Sequence, residues 1–366
     1  MGKKLNPTLK QIAELTGFSQ ASISMILNRR KDVSFSDETI RVVMSAAESL
    51  GYDRKIAQAG ARRLFGEGLV AVLCPNISNP YYSTLVQAIE QSAWEKGFQV
   101  VTFNTYRSPE VEARNLELLR KAGIDGIIFT MRPLESGALA RAIESIPTVV
   151  IGDKGSTFNI DTVEMDNYSA SVLVARHLIG LGHKRVAYIS TTLDPNNTIR
   201  LQRLRGLEDT FRAECPDGSI TVRSRDVTPA EELGDLFIEH RVGFELAGES
   251  LPEGAETAFV AVNDMVAYGV IDAVIAAGFS VPGDYSVCGF DNVYPSRLSP
   301  LSLTTVDNYI VDKGHNAFVM LASRMAGVKE NSKEHTPDII TRVEYPPRLI
   351  VRGSTAVACE RKGTQR

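Results

Sequence analysis

Short, wholly apolar segments recur from Leu69 onward and alternate with longer segments that have a helical pattern. LVAVLC begins at Leu69, a helical pattern runs from Tyr82 to Lys96, and FQVVTFN follows it. The alternation continues through the segments GIIFT, TVVI, VAYIS, AFVAV and YSVCGF. Apolar strands separated by helices indicate parallel sheets that are covered by helices on both faces. The pattern therefore predicts an α/β fold.

These strands are too many for one small sheet, so the sequence predicts two α/β lobes. The first lobe covers about residues 69–160 and the second about residues 161–310, with helices around Arg203 to Phe211 and from Met265 to Ala277. We expect the chain to cross back between the lobes through a C-terminal helix from Val311 to Met325 and the strands after it. Because parallel sheets bind ligands at the carboxyl ends of their strands, the cleft between the lobes is the predicted ligand site.

The segment TLKQIAELTGFSQASISMILN at 8–28 has the pattern of two short helices. Thr8 and Gln11 form a capping box for a first helix, whose apolar stripe consists of Leu9, Ile12, Ala13 and Leu15. Gly17 provides a turn, and Ser19 caps a second helix whose inward ridge consists of Ile23, Ile26 and Leu27. This pattern predicts a helix-turn-helix, which places its second helix in the DNA major groove. The alternative is an ordinary helical hairpin inside a larger core.

A third helix is expected to begin at Ser36 and to end at Gly51. Its apolar residues recur at helical spacing and are Ile40, Val43, Met44, Ala47 and Leu50. The predicted domains are thus a DNA-binding head at 1–52, a basic hinge segment at 53–68, and a ligand-binding core at 69–366.

Charge is unevenly distributed along the chain, although the net charge of −4 alone argues against a nucleic-acid binder. Residues 1–68 carry 11 basic and seven acidic side chains, whereas the remaining residues carry 29 and 37. A basic head on an acidic body is the asymmetry expected when one end meets phosphate. The four cysteines are scattered, which favours neither a zinc site nor a disulfide framework, and no apolar run has membrane-spanning length. We expect a cytoplasmic protein that needs no cofactor or metal.

Seven fragments, in matching order and spacing, resemble the LacI/GalR (lactose-repressor/galactose-repressor) family. They are the helix-pair segment above, AAESLGY at 46–52, HLIGLGHKRVAYIS at 177–190, AVNDMVAYG at 261–269, GFDN at 289–292, LTTV at 303–306 and LIVRGST at 349–355. The resemblance implies a small all-α helix-turn-helix head and a two-lobed α/β core resembling type 1 periplasmic sugar-binding proteins. It also implies a homodimer that binds a near-palindromic, double-stranded operator.

The resemblance assigns DNA-contacting residues to the second helix and its neighbours. The base-contacting positions fall on Gln20 and Ala21, which can pair with adenine and pack on a thymine methyl group. The phosphate-contacting positions are Thr8, Ser19, Ser22, Ser24 and Asn28. Many members have arginine where this chain has Met25. Because methionine cannot form arginine's bidentate pair with guanine, we predict that guanine is not selected at the corresponding base pair.

The hinge segment departs further from the family pattern. Members commonly have proline two residues after the tyrosine at the position of Tyr52, whereas this chain has Arg54. The nearest counterpart of their leucine, which wedges into the minor groove, is Leu64, and it matches only after the alignment is shifted. Such a wedge bends the operator and so widens its contact with the protein.

The resemblance also assigns ligand-binding residues in the cleft. They are Asn79, Tyr81, Tyr82, Asp153, Arg203, Asn263 and Asp291, of which Asp153 is displaced by one position from the family's aspartate. Arginine, amide and carboxylate groups beside aromatic faces suit a hydroxyl-rich ligand. A sugar or sugar derivative is the first expectation, and a purine or nucleoside is the second. Each residue also has a plain structural interpretation: Asn79 as a helix cap, the tyrosines as packing at the lobe junction, and Arg203 as a surface residue.

Two features complete the interpretation. Residues 238–257 exceed the family's usual connection and are interpreted as an inserted surface loop of unassigned role. An enzyme is disfavoured because the chain lacks the GxGxxG, GxxxxGK[ST], HExxH and GxSxG motifs in suitable places. A secreted sugar-binding protein would share the core fold, but it would need an export signal where this chain has the helix pair. The sequence therefore predicts a ligand-responsive transcriptional repressor.

Overall fold

The computed structural model describes residues 9–27, 35–50, 68–152, 159–251, 255–300, 302–330 and 339–359. They form two compact units: a helical head within residues 9–50, and an α/β core that holds nearly all of the remainder. Among the described residues, no helix is both long enough and apolar enough to cross a membrane.

The head consists of α1 (Leu9–Thr16), α2 (Gln20–Leu27) and α3 (Asp37–Ser49). The three helices bury one small core, in which Ile12, Ile23 and Val43 are completely inaccessible. The predicted cap at Ser19 and the predicted helix start at Ser36 are confirmed, because Ser22 N donates to Ser19 Oγ at 3.1 Å and Thr39 N donates to Ser36 Oγ at 3.2 Å. The predicted capping box at Thr8 lies outside the described residues. The helix pair shares this core with α3, so the alternative of a hairpin inside a larger core is wrong.

Some apolar residues predicted for this small core are instead exposed. Leu15 is 59% exposed, and three residues of α3 or its end are also on the surface: Ile40, Met44 and Leu50. Three short helices bury only a narrow stripe of each, so Val43, Ala46 and Ala47 supply the inward face of α3.

The first lobe of the core is built on a six-stranded parallel sheet. Its strands are β1 (Leu69–Cys74), β2 (Gln99–Asn104), β3 (Gly126–Phe129), β4 (Thr148–Ile151), β5 (Asp161–Met165) and β11 (Arg342–Tyr345), in the order β11-β5-β4-β3-β1-β2. The accompanying helices are α4 (Pro80–Glu95), α5 (Pro109–Ala122), α6 (Ser136–Ile143) and α12 (Ile310–Glu330). Every residue of β1 is buried, as expected for a strand covered on both faces.

The second lobe has a six-stranded sheet that is parallel except at one edge. Its strands are β6 (Arg185–Thr191), β7 (Ser219–Arg225), β8 (Ala258–Ala261), β9 (Ser286–Asp291), β10 (Thr304–Asp307) and the antiparallel β12 (Arg348–Ile350), in the order β12-β10-β9-β8-β6-β7. Its helices are α7 (Asn167–Gly180), α8 (Thr198–Glu214), α9 (Pro229–Gly234), α10 (Ile238–Ser250) and α11 (Asp264–Ala276), and a 3₁₀ turn covers Tyr294–Arg297.

The chain passes between the two lobes after β5, after β10 and after β11, so α12 and the last strands cross back as predicted. The predicted boundary near residue 160 is wrong by one strand. Strand β5 pairs with β4, with Val149 opposite Asp161, and therefore belongs to the first lobe. A buried strand has the same sequence pattern in either sheet, so the pattern alone could not assign it.

The predicted surface loop at 238–257 is also wrong, because most of it is the core helix α10. Ile238, Val242 and Leu246 are buried at helical spacing. At Gly243, the position of an added Cβ lies 2.1 Å from the carbonyl oxygen of Val266, which shows that α10 and α11 are in backbone contact. Helix α10 is thus a packed part of the second lobe.

Candidate functional site

A cavity of about 440 Å³ lies between the two lobes of the core. Its walls are formed where strands end: Tyr81 and Tyr82 follow β1, Arg107 follows β2, Asn263 follows β8, and Asp291 is the last residue of β9. The carboxyl ends of both sheets therefore face one space, as the strand pattern predicted.

Six of the seven predicted ligand-binding residues line this cavity: Asn79, Tyr81, Tyr82, Arg203, Asn263 and Asp291. The seventh, Asp153, lies outside the described residues. The capping interpretation of Asn79 is also correct, because its Oδ1 accepts from Tyr81 N at 2.8 Å at the start of α4. Asn263 caps α11 in the same way through Val266 N at 2.9 Å. Both amides therefore have their orientation fixed by a helix end.

Tyr81 and Tyr82 form the aromatic wall of the cavity. Their ring centroids are 5.0 Å apart, and the rings meet edge to face at 86°. Arg107 Nη2 donates to Tyr82 Oη at 3.4 Å. Burial is the main cause that raises the pKa of both phenols, to about 12 for Tyr82. Both hydroxyl groups therefore stay protonated near neutral pH and can donate or accept hydrogen bonds.

Arg203 lies on the floor of the cavity and is only 5% exposed, so the interpretation as a surface residue is wrong. Its Nε donates to Asn167 Oδ1 at 3.0 Å, and its Nη1 donates to the Val262 carbonyl oxygen at 2.6 Å. The guanidinium also stacks 4.4 Å from the centroid of the Phe290 ring. These contacts fix the plane of the guanidinium, so its remaining N–H groups can donate to a ligand only in a few directions.

Asp291, Asn308 and Lys313 form a buried polar chain beside Arg203. Asn308 Nδ2 donates to Asp291 Oδ1 at 2.8 Å, and Lys313 Nζ donates to Asn308 Oδ1. Burial raises the pKa of Asp291 to about 6 and lowers the pKa of Lys313 to about 7. Asp291 also has a φ of 129°, a backbone conformation that is strained for a residue with a side chain and typical of functional sites.

The rim of the cavity joins the lobes through Glu239, near the start of α10. Its Oε2 accepts from Asn79 Nδ2 at 2.6 Å, and its Oε1 lies 3.9 Å from Arg107 and 4.0 Å from Arg200. Arg107 also forms an ion pair with the buried Glu232. Asn79 and Arg107 belong to the first lobe and the other three to the second, so these contacts stabilise the observed arrangement of the lobes.

Five residues of the cavity were not predicted from the sequence, namely Arg107, Arg200, Glu239, Asn308 and Lys313. Two of them had a detectable signal. Lys313 interrupts the apolar stripe that Ile310, Ala317 and Leu321 form on α12, and a lysine on a buried face requires an explanation. Glu239 follows the first residue of a periodic apolar pattern that we assigned to a loop.

In the head, the predicted DNA-contacting residues lie on or beside α2. Ser19, Gln20 and Ala21 are exposed at its start, and Ser22, Ser24 and Met25 are half-buried. The opposite face of α2 carries the buried Ile23, Ile26 and Leu27. The start of the helix is therefore accessible to a macromolecule. Thr8, Asn28 and Leu64 lie outside the described residues.

The described residues contain no group of three or more metal-ligating side chains. Cys74, Cys215, Cys288 and Cys359 are free thiols, and the first three are buried.

The chain is similar in sequence and in structure to several transcriptional regulators. The family model of the periplasmic binding protein-like domain matches residues 175–355. The HTH-type transcriptional regulator DegA of Bacillus subtilis is 29% identical, over 96% of this chain and 99% of that protein. The HTH-type transcriptional repressor PurR of Mannheimia succiniciproducens is 26% identical, over 95% and 98% of the two chains. A LacI family transcriptional regulator from Enterococcus faecium, solved with bound ribose, superposes with a TM-score of 0.65 at 25% identity, over 80% of this chain and 100% of that one.

Proposed function

We propose that the chain is a transcriptional repressor of the LacI/GalR family and that a carbohydrate controls its binding to DNA. The observation that carries the proposal is the combination of two sites in one chain. The exposed start of α2 suits the DNA major groove, and the cavity between the lobes suits a small molecule. A regulator of this kind acts in the cytoplasm, where its operator is.

For the DNA site, we assign base contacts to Gln20 and Ala21 and phosphate contacts to Thr8, Ser19, Ser22, Ser24 and Asn28. The chain acts as a homodimer whose two heads bind half-sites of a near-palindrome, with centres about 34–36 Å apart. Leu64 remains the proposed minor-groove wedge.

For the ligand site, the tyrosine wall supports a carbohydrate, since sugar rings pack their apolar faces on aromatic rings. Arg203, Asn263 and Asp291 offer donors and acceptors for hydroxyl groups. The bound ribose of the Enterococcus faecium regulator agrees with this assignment. A purine or nucleoside is the second candidate, and the similarity to PurR over almost the full length favours it.

The ligand acts by binding one arrangement of the lobes more tightly than another. Three segments of the chain connect the lobes. A rotation of one lobe relative to the other about these segments therefore changes the shape of the cavity and the geometry of the core together. Operator and ligand must then change each other's affinity by the same factor.

Selection of duplexes from random DNA by the full-length protein tests the DNA site. We expect one near-palindromic site, bound at least about 10³-fold more tightly than unrelated DNA at the same salt concentration. Met25→Arg should select guanine at a base pair where the unmodified protein does not, whereas identical preferences would refute the assignment of Met25. Uniform, salt-sensitive binding to all duplexes would refute the proposed function itself.

A further inference from the structure

We propose that the ligand of the interlobe cavity is an anionic carbohydrate, a sugar that carries a carboxylate or a phosphate, and that Arg203 and Lys313 hold its negative group. This inference rests on the proposed function, in which the cavity binds a carbohydrate. It adds the charge of the ligand and the residues that select it.

Basic side chains outnumber carboxylates on the cavity wall. Five cationic side chains line it, namely Arg107, Arg132, Arg200, Arg203 and Lys313, against the three carboxylates of Asp194, Glu239 and Asp291. The excess is therefore positive.

The carboxylates of the cavity wall are unevenly distributed among these cations. Asp194 Oδ1 is used within its own turn, where it accepts from Asn196 N at 2.8 Å and from Asn197 N at 3.0 Å. Glu239 lies between Arg107 and Arg200, and Arg107 has Glu232 as well. Arg107 and Arg200, at the rim, thus have carboxylate partners. Arg203 and Lys313, at the floor of the cavity, do not share these partners.

Arg203 and Lys313 are the two cations on the floor of the cavity. They are 5% and 3% exposed, and within the described part of the chain neither has a carboxylate oxygen within 4.0 Å. The Arg203 Nη2 group donates no hydrogen bond to a described residue, and Lys313 Nζ donates only to Asn308. A lysine ammonium has three donors and an arginine has five, so both retain donors for a ligand.

Two buried cations without an ion pair are costly, and this cost indicates what the cavity binds. Burial lowers the pKa of Lys313, as expected for an ammonium without sufficient counter-charge. An anionic group on the ligand would supply the missing charge to both residues at once, and carboxylates and phosphates match the geometry of a guanidinium. A neutral sugar would add no counter-charge to that of Asp291, Glu164 and Asp307, none of which forms an ion pair with Lys313 in the described part of the chain. Nearby Asp291 remains an acceptor for sugar hydroxyl groups.

Isothermal titration calorimetry on the full-length protein tests the inference with two matched series. One series is D-glucose, D-glucuronate and D-glucose 6-phosphate, and the other is the corresponding galactose set, all at constant ionic strength. We expect at least one acid or phosphate to bind tenfold or more tightly than its neutral parent. The two anionic arms distinguish a carboxylate from a phosphate ligand.

Variants then assign the effect to a residue. Lys313→Met keeps the side-chain volume and should reduce the preference for the anionic sugar to less than about threefold, since most of the differential charge interaction is lost. Lys313→Gln is a second variant with the same expectation. Lys184→Met is the matched control, because Lys184 is 61% exposed and pairs with Asp217 away from the cavity, and it should keep the full preference.

Three results of these experiments would contradict an anionic ligand. Equal affinities for neutral and anionic sugars, an unchanged preference in both Lys313 variants, or no binding tighter than about 1 mM by any of the six compounds would overturn this inference. Tight binding of hypoxanthine or a nucleoside together with no binding of any sugar would instead overturn the carbohydrate function on which it rests.

Discussion

The contact between α10 and α11 gives a sharp prediction about the helix that brings Glu239 to the cavity. An alanine at Gly243 would place its Cβ 2.1 Å from the carbonyl oxygen of Val266, whereas ordinary van der Waals contact begins at 3.4 Å. The obstacle is backbone, so the helices must move apart. We expect Gly243→Ala to lower the free energy of unfolding by about 2–3 kcal/mol, which includes the small gain in helix propensity.

Gly248→Ala is the matched control on the same helix. Apart from the nearby backbone of its own helix, no atom of the described residues lies within 4 Å of its added Cβ, so we expect this change to stabilise the protein by about 0.5–1 kcal/mol through helix propensity alone. Urea denaturation followed by circular dichroism measures both effects, and the slopes of the two transitions should agree. Equal effects of the two substitutions would refute the backbone contact and with it the placement of α10.

Two further predictions concern charged groups of the cavity. Glu239→Gln should lower the free energy of unfolding by about 1.5–3 kcal/mol, because it removes a charged acceptor shared by Asn79 and two arginines. Glu245→Gln is the control, since Glu245 is in a more exposed pair with Arg225, and it should lower the free energy of unfolding by less than about 1 kcal/mol. Similar losses for the two variants in urea denaturation would contradict this prediction. Lys313 faces Arg203, Asp291, Glu164 and Asp307, and its pKa falls from 10.5 to about 7 on folding, so the unfolded chain binds more protons above pH 7 and stability should rise with pH. Between pH 7 and pH 9 we expect the unmodified protein to gain about 2 kcal/mol relative to Lys313→Met, and parallel pH profiles would contradict the buried, weakly compensated lysine.

The sequence predicted the elements whose signals are local. The strands from Leu69 onward are continuous apolar runs, and Ser19 and Ser36 are caps that act on the next turn of the chain. Six residues of the cavity wall could be predicted because the end of a parallel strand is also the edge of the cavity. Features that depend on contacts between residues far apart in the sequence were harder to predict. The assignment of β5 to the first sheet, through its pairing with β4, is an example.

The prediction for α10 failed for a different reason. The spacing of Ile238, Val242 and Leu246 is that of a buried helix, but a comparison of segment lengths with the family favoured an inserted loop. The length of a segment indicates only that residues have been added. The spacing of its apolar residues indicates which face of a helix is buried. The local physical pattern was the stronger indicator here, and it would have placed Glu239 at the beginning of a packed helix.

The charge of the cavity illustrates why a ligand class is harder to predict than a fold. Arg107, Arg203, Glu239 and Lys313 come from four distant segments, and each alone has an ordinary structural interpretation. Only their arrangement shows that Glu239 compensates the arginines of the rim while Arg203 and Lys313 lack a carboxylate within 4.0 Å among the described residues. Because folding must bear the cost of burying those two charges, an anionic ligand that supplies counter-charge would regain part of that cost on binding, which a neutral sugar could not do. On the proposal made above, the charge imbalance that lowers the stability of the core is therefore also the basis of its selectivity.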